Sequence, residues 1–122
     1  MTRMRVLKPL AASFALTRSA GGLTVYWSGE WRDKFGLNPV YVNLLAPRQA
    51  TLAVARFEFK HPNENGTGYD TARSEVIART PRQEPVGDLD IETARPLWAA
   101  RVVFRHENAP AGYTKWIYNP YF

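Results

Sequence analysis

The side chains that could do chemistry in this chain are few. There are two histidines, His61 and His106, and no cysteine. Without thiols, disulfides, zinc–thiolate centres, iron–sulfur clusters and cysteine nucleophiles are all excluded. His61 falls in a turn and His106 at a strand end. Two scattered imidazoles are fewer ligands than a histidine metal site uses, and both read as solvent-facing polar residues. Asp88-x-Asp90-x-Glu92 has the charge for a hard cation. It lacks the glycine and the downstream glutamate of a calcium loop, and reads as helix capping. Glycoside hydrolysis would need two acids in one concave site, and among Glu30, Asp33, Glu58, Asp70 and Glu75 no pair stands out. There is no glycine-rich phosphate loop, nucleophile elbow or dinucleotide fingerprint, so no cofactor is expected. The chain reads as non-enzymatic.

Residues suited to recognition are more abundant. Tyr26, Trp27, Trp31 and Tyr41 fall close together with charged residues between them. Exposed, they would form a platform for stacking sugars or bases. The competing reading turns Trp27 inward with Leu23 and Val25 and uses Trp31 to cap the core. The last 25 residues hold seven of the 16 aromatics, including Trp116, Tyr118, Tyr121 and Phe122. An apolar tail of that kind suits docking on a neighbour, because such residues are enriched at interfaces. It could equally fold back on its own domain. Arg101 and Arg105, with Arg56 and Lys60, could make a basic sheet face able to track phosphates. Glu58, Glu75 and Glu107 are the candidates to pair with them across strands.

These residues need positioning, and the pattern that positions them has period two. Leu23–Ser28 alternates after Gly21-Gly22, and residues 28–39 read as a loop. Val40–Leu45 and Thr51–Lys60 follow as strands. The cluster from His61 to Gly68 reads as a turn leading to Tyr69–Thr80. Asp88–Arg95 is the best helical candidate, with acids near its start and Pro96 at its end. Leu97–His106 alternates most clearly, with Trp98, Ala100, Val102 and Phe104 on one face. Tyr113–Tyr118 is a last strand. Six or seven short strands with Pro/Gly connectors predict an all-β fold, an antiparallel β-sandwich or jelly-roll-like domain with one short helix.

Charge is distributed unevenly. The net charge is +5, from 16 cations and 11 acids. Four of the cations, Arg3, Arg5, Lys8 and Arg18, precede the first acid, Glu30, which leaves 12 against 11 in the remainder. The expected organisation is a basic arm over residues 1–22, a β domain over 23–118 and an apolar tail over 119–122. The start has a secretory flavour, but Lys8 and Pro9 interrupt its apolar run, so it reads as a retained arm. No apolar run approaches the ~20 residues of a membrane-spanning helix. No membrane partner is expected, and the location reads as a virion or the cytoplasm.

These features point to a structural subunit of a larger assembly, such as a virion coat, decoration or connector protein. Its partners would be other protein subunits, either copies of itself or a major shell protein. The arm residues and the tail residues would carry the contacts, with nucleic acid a second partner for the arm. The alternative is a carbohydrate- or nucleic-acid-binding β module using Tyr26, Trp27, Trp31 and Tyr41.

Overall fold

The computed structural model describes residues 12–47, 51–81, 85–107 and 109–122. Among them are nine strands and no helix. In chain order these are β1 (Ser13–Ala20), β2 (Leu23–Asp33), β3 (Gly36–Leu45), β4 (Ala53–Pro62), β5 (Tyr69–Arg79), β6 (Val86–Glu92), β7 (Ala99–His106), β8 (Gly112–Tyr113) and β9 (Ile117–Tyr118). Two antiparallel sheets result. One has the order β1-β2-β3-β6; the other has β5-β4-β7-β8, with β9 also paired to β7. The arrangement is sandwich-like, with one core drawn from both sheets.

Local chemistry explains the hairpins. Gly21 and Gly22 close β1 onto β2, both with positive φ (59° and 80°). A two-residue turn with both centres left-handed matches the strand twist, and glycine adopts it at no steric cost. Between β2 and β3, the Asp33 carboxylate accepts the Phe35 N–H at 2.7 Å, a side-chain-closed turn. Segment 63–68 closes β4 onto β5, and Thr67 N–H donates to the Asn63 side chain at 3.2 Å.

The core comes from alternation. Leu23, Val25, Trp27 and Trp31 on β2 and Val40, Val42 and Leu44 on β3 point inward. Ala55, Phe57 and Phe59 on β4 and Ala100, Val102 and Phe104 on β7 meet them. Trp27 packs edge-on to Phe14 at 4.6 Å between centroids, and against Phe57 at 5.7 Å. Removing a side chain this large and this buried costs about 3–5 kcal/mol.

Three expectations need correction. The helix over Asp88–Arg95 is absent; most of that segment is β6, paired to β3. Leu89 and Ile91 pack against the core while Asp88, Asp90 and Glu92 are exposed, which is period-two alternation. Asp88 takes φ 53° where β6 carries one residue more than β3, and aspartate tolerates that left-handed conformation better than most residues. The loop over residues 28–39 is instead two strands and a tight turn. Asn38 and Pro39 form a bulge inside β3, where proline's missing N–H costs no ladder bond. Lastly, residues 13–20 of the expected arm are β1, in full register with β2.

Candidate functional site

The outward side of β4 carries Arg56, Glu58 and Lys60, because Phe57 and Phe59 alternate with them into the core. Two of these outward charges are nonetheless buried, with Glu58 5% and Lys60 6% exposed. Neighbouring strands and the C-terminal segment cover them. The Lys60 ammonium donates to the Tyr118 hydroxyl at 2.8 Å. It lies 4.4 Å from the Tyr69 and Trp116 ring centroids, 5.1 Å from Tyr118 and 5.8 Å from Trp98. Trp98 also contacts Tyr69 and Tyr118, so the rings support one another. Four rings thus box one cation. A desolvated cation–π contact is worth about 2 kcal/mol, against 0.5–1 at an exposed position.

A second clamp lies beside the box. The Arg101 guanidinium is 4.2 Å from the ring centroids of both Tyr113 and Trp116. It donates to Glu58 Oε1 from Nε at 2.9 Å and from Nη2 at 2.5 Å. Arg73 Nε donates to the other oxygen, Oε2, at 2.9 Å. Burial opposes the charge on Glu58. The hydrogen bonds and charges of Arg101 and Arg73 outweigh it and hold the carboxyl below its ordinary range. Glu58 is therefore a locked carboxylate and not a proton carrier. Tyr69, Lys60, Trp116, Arg101 and Tyr113 thus alternate ring and cation across the face.

The expected site residues are placed as follows. Arg3, Arg5 and Lys8 lie outside the described residues, and Arg18 is exposed on β1. Trp116 and Tyr118 belong to the box. Tyr121 packs on the core and Phe122 is exposed, with the Lys34 ammonium 5.6 Å from its ring. Buried Asn119 pins this tail. Its amide nitrogen donates to the carbonyls of Asp33 and Leu97 at 2.9 Å each, and its oxygen accepts the Tyr121 N–H at 2.9 Å. So the tail folds back on its own domain.

The aromatic platform does not assemble. Trp27 and Trp31 are fully buried, while Tyr26 and Tyr41 are half-buried and pair with each other at 5.6 Å. The histidines are not solvent-facing either. His61 is buried with Nδ1 2.9 Å from the Pro96 carbonyl, and half-buried His106 has Nε2 2.6 Å from the Gly21 carbonyl. Among the described residues no group of three or more His, Asp or Glu could hold a metal. No helix there is long and apolar enough to cross a membrane. Of the expected cross-strand ion pairs, only Glu58–Arg101 forms among the described residues, joined by Glu58–Arg73. Tyr69 and Trp98 escape sequence reasoning: Trp98 matches the core parity of β7 but precedes the strand and stands with Tyr69 and Tyr118. Compared with known proteins, the chain matches no family model, no curated protein and no solved structure, so the functional reading rests on this geometry.

Proposed function

We propose that the chain is a non-enzymatic structural subunit of a larger protein assembly, and that it docks through the outer face of the five-stranded sheet. The observation that carries this reading is the ring–cation ladder itself. Tyr69, Tyr113 and Tyr118 are exposed on a face whose cations are already fixed by Glu58 and by the rings. Tyrosine, tryptophan and arginine are the residues most enriched where interfaces concentrate their energy. Groups held in place before contact lose little entropy on binding. A small all-β module with such a face suits repeated interfaces, as in a virion coat, decoration or connector protein. The N-terminal residues Arg3, Arg5 and Lys8 add a basic segment for the same neighbour.

Light scattering on a sizing column tests this. The wild type is expected as a discrete oligomer well above 13.9 kDa, the mass of one chain. Tyr69→Ala combined with Tyr113→Ala should move it toward the monomer with an unchanged circular dichroism spectrum. A wild type that stays at 13.9 kDa at every concentration refutes self-assembly through this face. An oligomer indifferent to both substitutions places the interface elsewhere.

A further inference from the structure

Toward the start of β4 the same sheet face changes character. Val54 lies in register between Arg79 of β5 and Arg105 of β7. Arg56 lies between Val76 and Val103, and Glu58 between Arg73 and Arg101. Glu58 neutralises part of the last row. Arg56, Arg79 and Arg105 have no ion-pair partner among the described residues. Two adjoining grooves, of about 500 and 380 Å³, share Val54, Arg56 and Arg105 as lining. Arg73 and Tyr113 also line the first groove and Arg79 the second; Glu107, in the second, is the only acid lining either among the described residues.

We propose that these grooves bind single-stranded nucleic acid. The argument rests on charge, chemistry and spacing. Guanidinium groups left without carboxylates retain their hydrogen-bond forks for phosphate, which they match in pairs of donors. Outward positions on one strand recur every ~6.6–6.8 Å, so the cation rows at Val54, Arg56 and Glu58 form a ladder with the stride of an extended nucleotide chain. Val54 and Val103, within the first two rows, line the first groove and give it an apolar floor against which bases can lie. Tyr113, already held by Arg101, stands at the end of the groove as a stacking ring. Basic track and aromatic ring together are what sequence-tolerant single-strand binding uses. An acidic polypeptide would use the cations but not the ring. The site lies at the opposite end of β4 from the Lys60 box; it shares Tyr113 with the docking face proposed above, but its cations, Arg56, Arg79 and Arg105, take no part in that reading.

The test is fluorescence anisotropy of a labelled oligo(dT) of about 16 nucleotides, the upper end of a single-strand site size, titrated with the full chain. At a slope of about −0.7 per phosphate neutralised, three or four contacts weaken binding about 20- to 50-fold between 50 and 200 mM salt. Arg56→Gln with Arg105→Gln should reduce the salt slope by about 1.4, and the matching lysine pair should restore it. Should the glutamine pair fail to fold, Arg79→Gln at an exposed position carries the comparison, with an expected change of about 0.7. Three results overturn the proposal: no binding at 50 mM salt, a slope indifferent to these substitutions, or polyglutamate of equal charge competing as well as the oligonucleotide.

Discussion

Glu58→Gln is the most informative single substitution, because it preserves volume while removing the charge and one of the two acceptor oxygens. The carboxylate serves two guanidinium groups, one through each oxygen. A glutamine has one acceptor oxygen, so it can face Arg101 or Arg73 but not both. Facing Arg101, it points its own N–H donors at Arg73. The two arginines differ in exposure, Arg101 at 22% and Arg73 at 61%. Arg73 can turn to water, and its share is about 0–1 kcal/mol, as for other surface pairs. Arg101 cannot, and a charge-assisted bond there is worth about 1.5–3 kcal/mol. The expected loss is about 2 kcal/mol. In urea, with a slope of about 1–2 kcal/mol/M, that moves the midpoint down by about 1–2 M, readable in tryptophan fluorescence. A double-mutant cycle separates the partners: coupling of Glu58 to Arg101 should exceed its coupling to Arg73 by about 1 kcal/mol or more. The pH dependence has a definite sign. The folded pKa lies below the unfolded one, so the unfolded chain binds the proton first. The stabilisation is complete above the ordinary glutamate value of about 4.3 and fades as pH falls through the lowered folded value. Wild type and variant should therefore converge in acid. A gap that is the same at pH 7 and at about pH 3, or a cycle dominated by Arg73, refutes the reasoning.

Asn119→Ala removes three side-chain hydrogen bonds at a buried position and leaves the Asp33 and Leu97 carbonyls without these donors. A loss of about 2–3 kcal/mol is expected, seen as a fall of about 10 °C in Tm; a change under about 2 °C would show that the tail is held by other contacts. Gly112→Ala would place a Cβ 2.9 Å from Phe104 Cζ and 3.0 Å from Ala20 Cβ, where strands of the two sheets meet. Because Phe104 is buried, the overpacking should cost about 1–3 kcal/mol in urea unfolding, and a neutral result would mean that β1 and β8 can separate freely.

How much of this was readable from the sequence depended on whether the signal was local. Strands β4 and β7 and the Leu23–Ser28 half of β2 declare themselves through alternation, and the inward set Ala100, Val102 and Phe104 follows from parity alone. Asp88–Arg95 misled because acids near a segment start suit a helix cap, while Leu89 and Ile91, two apart, carried the weaker strand signal. Asn38 and Pro39 read as the end of a loop because proline usually lies outside strands, and a bulge is the exception that accommodates it. Arg101 and Glu58 could be paired in principle as facing residues on adjacent strands. The Lys60 box could not. Its members come from β4, β5, the approach to β7 and the C-terminal segment, and Lys60 and Tyr118 are 58 positions apart. Such a constellation depends on how the tail returns to the sheet, which no periodicity encodes.

The occupied box also limits what the face can recognise. Aromatic boxes of this kind are suited to ammonium ligands, and here the domain supplies its own. An external ammonium would have to displace a tethered one, whose effective concentration is in the millimolar range or above even for a flexible link. The rigid β4 backbone presents Lys60 more favourably than that. On the docking reading proposed above, a partner would meet the exposed rings of Tyr69, Tyr113 and Tyr118 and not the interior of the box. Self-saturation makes the box a closed shop for free amines, because its own ammonium already holds the centre.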